Sequence, residues 1–218
     1  MLCALAAVAG AADLSTISNT DASAGLKKAL EQGIDRAVGE LGVTDGFLKN
    51  PRVKIDLPPK IAKAEGLLRT LGAGGELDRL ITSMNRAAES AVPASKALFV
   101  EALHHMSIAD AKQILTGGED SATQYFRRVT SVPLKAKFAP IIASATQKVK
   151  LSEQYDAVAQ KGVALGILKP EDASVEAYVS EKTLDGLFLI MADEERAIRK
   201  DPLGQASSLL KRVFEAAH

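Results

Sequence analysis

The sequence predicts an all-α fold: a single multi-helix, bundle-like domain with a short extended segment near residues 52–57. Apolar residues recur at helical spacing from Leu26 to Phe214. Prolines and glycines fall where helices would begin and end. Only one stretch alternates apolar and polar residues in the manner of a strand.

Taken in order, Ser18 with Asp21 three residues on resembles a capping box. Leu26, Leu30, Ile34, Val38 and Leu41 then form one apolar stripe, and Gly42 ends it. Between Pro51 and Pro58, Val53, Ile55 and Leu57 alternate with Arg52, Lys54 and Asp56, which predicts an extended arm with one buried face. A lone strand makes no sheet. The arm therefore pairs with an unrecognised strand, pairs with another chain, or lies across helices.

Pro59 starts a second helix with Ile61, Ala64, Leu67, Leu68 and Leu71 inward, broken by Gly72, Gly74 and Gly75. The third carries Leu77, Leu80, Ile81, Met84, Ala87, Ala88 and Ala91. Pro93 opens a fourth, which runs to about Met106. Ser107 and Asp110 form the capping box of a short fifth, closed by Gly117-Gly118. A sixth holds Ala122, Tyr125, Phe126 and Val129. Pro133 starts a seventh, with Leu134, Phe138, Ile141, Ile142 and Ala145 inward and a kink at Pro140. Leu151, Tyr155 and Val158 mark an eighth, and Gly162 to Lys169 read as a loop. The longest helix follows Pro170, with Val175, Tyr178, Val179, Leu184, Leu187, Phe188, Met191, Glu195 and Ile198 on its pitch. Asp201-Pro202 starts the last helix, which holds Leu209, Leu210, Val213 and Phe214. No repeat, low-complexity tract or linker interrupts residues 13–218, so they read as one domain.

Composition narrows the function. The chain has 218 residues, enough to bury roughly 70% of its unfolded surface without disulfides or metal. Lys+Arg and Asp+Glu are equal at 27 each, so no long-range field collects phosphates, and nucleic acid is not an expected partner. Trp is absent and aromatics are 4%, which leaves few stacking platforms. Cys3 is the single cysteine, so no intrachain disulfide or cysteine zinc site forms.

Met1 to Ala12 are small or apolar throughout. Leu2 to Val8 resemble the apolar core of a signal peptide, and Ala9-Gly10-Ala11 fits the small-x-small rule before a signal-peptidase cut. No Lys or Arg precedes them, as in a truncated signal peptide. Residues 1–12 are thus expected to direct export to the periplasm; an uncleaved, frayed terminus on a cytoplasmic protein is the alternative. No later apolar run approaches the roughly 20 residues of a membrane span.

Several strings occur together in one order. They are Asp45-Gly46-Phe47-Leu48, Asn50-Pro51 with Val53, Ile55 and Leu57-Pro58, and Ser83-Met84-Asn85-Arg86-Ala87-Ala88-Glu89. Met106-Ser107 with Asp110-Ala111 and Gly117-Gly118 follows, then Ala122-Thr123 with Tyr125-Phe126-Arg127. Lys182 with Leu184-Asp185-Gly186-Leu187-Phe188 comes next, and Glu194-Glu195, Ile198-Arg199 and Asp201-Pro202 complete the set. In these strings, from about Asn19 to Phe214, the chain resembles the bacterial domain-of-unknown-function family 4197. Members typically begin with a signal peptide, so the resemblance implies export. It implies no catalytic residues, because the family has no established activity.

The candidate chemistry comes from the residues themselves. His104 and His105 point about 100° apart on a helix and lack the i, i+4 spacing that would hold one zinc, so no metal or other cofactor is expected. Gly72 to Gly75 and Thr116 to Gly118 lack the strand and lysine of a nucleotide loop and read as helix stops. Asp193, Glu194 and Glu195 fan out around a helix and read as a solvated face. Asn85, Arg86 and Glu89 sit on an otherwise small and apolar helix, Tyr125 and Arg127 on another, and Lys182 and Asp185 on a third. If these helices converge, Arg127, Asp185, Glu89 and Asn85 form a buried polar network. Such a network either fixes helix register or binds an anionic head group through arginine forks. Alanine-rich stripes either pack tightly or line a groove for an acyl chain.

The expectation is a non-enzymatic envelope protein that binds a lipid-like or amphipathic small molecule, with the head near Arg127, Asn85 or Arg86 and the tail between alanine-rich helices. Two alternatives stand beside it: an adaptor or homo-oligomer that pairs its 52–57 arm with another chain, and an enzyme that uses Glu89, Asp185 and Arg127.

Overall fold

A computed structural model describes residues 19–146 and 174–200. The expectations for Ser18, for residues 147–173 and for the helix after Asp201 fall outside them. Every regular element among the described residues is helical.

Helix α1 spans Asn19–Leu41. Its stripe is inward as the spacing requires: Leu26, Ile34 and Leu41 are fully buried and Val38 half-buried. Gly42 closes it, its N–H donating to the Val38 carbonyl (2.8 Å). A turn carrying Asp45 in left-handed backbone (φ 71°) delivers Phe47 into the core. The arm follows, with Val53, Ile55 and Leu57 buried and Arg52, Lys54 and Asp56 exposed. It has no strand partner among the described residues and lies across helices.

Helix α2 (Pro59–Leu68) starts on its proline and passes into a π-turn (Arg69–Ala73) that bends at Gly72 (φ 88°). Its predicted inward face is corrected in part. Ile61 is buried, whereas Leu67 and Leu71 are 65% and 73% exposed, because α2 and the π-turn that continues it stand at the margin of the bundle. Helix α3 (Gly74–Ala91) buries Leu77, Leu80, Met84, Ala87, Ala88 and Ala91. A 3₁₀ turn (Val92–Ala94) leads into α4 (Ser95–His105). Helix α5 (Ile108–Leu115) has the capping box that Ser107 and Asp110 predict.

The predicted sixth and seventh helices are one. Helix α6 (Ser121–Thr146) runs through Pro133 and Pro140 without a break. Each proline removes one backbone hydrogen bond, but Thr130, Leu134, Phe138 and Ile142 are buried on the same face and hold the helix together across both. Val129, read as inward, is 41% exposed. Helix α7 (Val175–Lys200) matches the longest predicted stripe.

Six of the described helices pack together, α6 against α3, α4, α5 and α7, and α1 against α4, α5 and α7. Phe99 of α4 meets Phe126 of α6 (5.5 Å, 77°) and Phe188 of α7 (6.1 Å, 74°) edge to face, the arrangement that aromatic quadrupoles favour. No described helix is long and apolar enough to cross a membrane.

Candidate functional site

The site is built on the arm, and the arm depends on α3. An extended segment with no neighbour leaves backbone groups unpaired, which is costly when they are buried. Asn85 supplies the missing partner. Its Oδ1 accepts from the Ile55 N–H (2.9 Å), and its Nδ2 donates to the Ile55 carbonyl (2.8 Å) and the Ile81 carbonyl (2.7 Å). The side chain is fully buried and stands in for a second strand.

One turn further along α3, Glu89 holds the preceding turn. Its Oε1 accepts from the Phe47 and Leu48 N–H groups (3.0 and 3.1 Å), and its Oε2 from Arg86 Nη1 (2.6 Å). Arg86 Nη2 donates to Asp45 (2.6 Å), which also pairs with Lys49 (2.8 Å). The hydrogen bonds from Lys49 and then Arg86 hold the Asp45 carboxyl below the usual carboxylate range. The hydrogen-bonding groups of Asn85 and Glu89 are thus committed to fastening residues 45–55 onto α3.

The fastened arm forms one wall of a cleft of about 690 Å³, with the start of α6 and a face of α7 as the others. Tyr178, Lys182, Asp185, Leu189, Ala192 and Arg196 recur on α7 at steps of four and three, which places them on one stripe along the cleft. Tyr178 Oη donates to the Asp56 carbonyl (3.3 Å) and ties arm to helix. Asp185 lies between Arg127 Nη1 (3.4 Å) and Lys182 Nζ (3.7 Å), and all three are about half exposed. The Arg127 guanidinium lies over the Phe188 ring, 4.6 Å from its centroid. Arg52 from the arm and Arg196 both pair with Asp193. Arg52, Lys54, Arg127, Lys182 and Arg196 thus line the cleft, with Asp56, Asp120 and Asp185 as the acidic lining residues.

The predicted site residues separate into three places. Arg127, Lys182 and Asp185 meet in the cleft; Asn85, Arg86 and Glu89 lie beneath the arm. Tyr125 belongs to neither. Its hydroxyl donates to the Ala102 carbonyl (3.2 Å), and burial pushes the phenol's pKa up. The predicted single network is therefore corrected. Glu89 is spent on two amides and Arg86, so the catalytic trio Glu89, Asp185 and Arg127 does not assemble. The alanine stripes pack where the structure describes them: Ala29, Ala37, Ala87, Ala88 and Ala91 are buried in the core, and the crevice bounded by Leu30, Ile34, Phe126 and Met191 has about 10 Å³, too little for an acyl chain.

Two features escaped the sequence. The first is the contribution of Arg52, Lys54 and Arg196 to the cleft, which only folding brings beside Arg127. The second is the role of Glu195, which the spacing sets on the α7 stripe although the acidic run it belongs to reads as solvated; it is 5% exposed. It caps α6 from outside, accepting from the Ala122 N–H (2.9 Å) and the Thr123 N–H (2.8 Å). Arg199 pairs with it (2.9 Å) and donates to the Ile114 carbonyl (2.8 Å) at the end of α5. The signal was available: Glu195 stands four residues after Met191 and three before Ile198, on the apolar stripe.

Among the described residues no three His, Cys, Asp or Glu side chains gather to hold a metal ion. A family profile described as protein of unknown function (DUF4197) matches residues 16–215. No curated protein and no solved structure matches the chain.

Proposed function

We propose, from the premise that this chain belongs to the DUF4197 family of proteins of unknown function, that it is a non-enzymatic binding module which takes an anionic, amphipathic ligand in the cleft beside its arm. The observation that carries this is the loose sharing of Asp185 by Arg127 and Lys182 (3.4 and 3.7 Å) at half-exposed positions. Two cations on one carboxylate at those distances leave donors for a second anion. Stacking on Phe188 fixes the plane of the Arg127 fork. Leu189, 36% exposed on the same stripe, offers apolar surface to the rest of the ligand. The head group is thus assigned to Arg127 and Lys182, and the apolar part to the cleft floor.

Titrating the full chain with decanoate and decyl phosphate by calorimetry tests this. Wild type binds, and Arg127→Ala with Lys182→Ala lowers affinity at least tenfold. If wild type binds neither compound, or the double variant binds equally well, the assignment is wrong.

Pairing of the arm with another chain ranks below this, since the Ile55 N–H and carbonyl and the Asp56 carbonyl are used within the chain. The same proposal sets the module in the periplasm. Its support is the Leu2–Val8 run before Ala9-Gly10-Ala11, which lies outside the described residues. Mass spectrometry of the periplasmic fraction should find a mature chain beginning at Ala12; a chain that retains these residues in the cytosol refutes export.

A further inference from the structure

The cleft has a second cationic end. Arg52 and Arg196 meet at Asp193, each on its own carboxylate oxygen and closer than Arg127 and Lys182 approach Asp185, and both arginines line the cleft. Each end sets two cations against one carboxylate, in a chain whose formal charge is zero. The remaining lining charges do not repeat this ratio. Lys54 faces Asp56 (3.9 Å), and Asp120 lies beside the N-terminus of α6, whose dipole offsets it and where it accepts from Gln124 (2.9 Å).

The two ends have a defined separation. Asp185 and Asp193 are eight residues apart on α7, about 12 Å along the axis at 1.5 Å per residue. Between them the cleft floor is Leu189 and Ala192, both without charge. A ligand with one anionic head would use Arg127 and Lys182 and make no contact with Arg52 and Arg196. A ligand with an anionic group at each end of an apolar spacer matches both ends and covers the floor.

We infer that the cleft recognises its ligand at two points and that its preferred ligand class is an elongated dianion with terminal anionic groups about 12 Å apart. This rests on the cleft being a ligand site. The two arginines are suited to carboxylate or phosphate termini alike, since the guanidinium fork matches both. Arg52 belongs to the arm, so the second point of contact also connects the ligand to the segment that Asn85 fastens.

The test is calorimetry of the full chain at low ionic strength with straight-chain α,ω-dicarboxylates of increasing length and with the monocarboxylates of matched length. Affinity should peak at the diacid whose carboxylates span the two ends and exceed that of the matched monoacid at least tenfold. Arg52→Ala and Arg127→Ala should each bring that diacid down to the monoacid level, while Arg52→Lys and Arg127→Lys retain part of the preference. Unchanged circular dichroism and melting temperature in these surface variants exclude misfolding as the cause. Monoacids binding as tightly as diacids at every length would overturn two-point recognition while leaving the cleft a ligand site. So would an Arg52→Ala chain with undiminished diacid affinity. Absence of binding by both series would remove the cleft assignment and this inference with it.

Discussion

Asn85 does with one side chain what a neighbouring strand does with its backbone. An amide carries a donor and an acceptor at the spacing of a peptide group, so it pairs both polar groups of Ile55 at once. Replacing it by leucine keeps the number and branching of the side-chain heavy atoms and removes the pairing. Buried backbone groups left without partners cost about 1–3 kcal/mol each, so Asn85→Leu should lower unfolding free energy by about 2–4 kcal/mol in urea titration. A loss under about 0.5 kcal/mol would mean that the arm is held by its apolar residues alone. Asp45 gives a pH signature. Its folded-state pKa lies below the ordinary value of 3.8, because Lys49 and Arg86 donate to the charged form. Its contribution is therefore present above that value and is lost as pH falls from there through the lowered folded value. Acid unfolding of Asp45→Asn should be correspondingly flatter in that window than wild type. A residue's place on a helix was legible from spacing, as the inward setting of Asn85 and Glu89 among alanines shows. What they bond to was not, since partners some 30 to 40 positions away leave no periodic trace.

At the scale of elements, small residues decide how closely arm and helix approach. Gly186 lies inside α7, where glycine is unfavourable. A Cβ there would stand 2.9 Å from Phe47 Cε1 and 3.2 Å from Val53 Cβ. Gly186→Ala should therefore cost about 1–3 kcal/mol by overpacking, against the small gain expected from better helix propensity. Thermal melts decide the sign, and a stabilised variant would show that Phe47 moves aside freely. The stripes of α1, α3 and α7 were readable because each buries one continuous face. The split at Pro133 was misread for a related reason: proline reports the local cost, and the buried residues on either side of it that outweigh that cost belong to tertiary packing. Leu67 and Leu71 failed oppositely, their spacing being helical but their helix standing at the margin of the bundle. Glu195 shows how one element closes another. Glu195→Ala should uncap α6 and leave Arg199 without its carboxylate, lowering stability by about 2–4 kcal/mol. Glu195→Gln, which keeps the acceptor, should lose less in the same titration.

Across the whole molecule, core and cleft share one segment. Residues 45–57 bury Phe47, Val53, Ile55 and Leu57 inward and present Arg52 and Lys54 outward to the cleft. The balanced composition concealed this, because equal totals of Lys+Arg and Asp+Glu are compatible with a local cation-rich site assembled from arm, α6 and α7. If a ligand needs the arm in place, it must also hold it there. Binding only to the closed arm adds RT ln(1 + [L]/Kd), about 2.7 kcal/mol at a ligand concentration of about 100 Kd. Exchange of the Ile55 amide hydrogen, which reports release from Asn85, should then slow about a hundredfold when the cleft is filled. Amides protected only by global unfolding gain at most the same factor, whereas those that open without disturbing the arm, such as the end of α5 near Ile114, should gain none. In Asn85→Ala the protection at Ile55 should already be low without ligand. Affinity should fall in proportion, since part of the binding free energy now goes into closing the arm. Measuring exchange and affinity in the same two proteins therefore decides the coupling: Ile55 protection unchanged by saturating ligand would show that the cleft fills without engaging the arm.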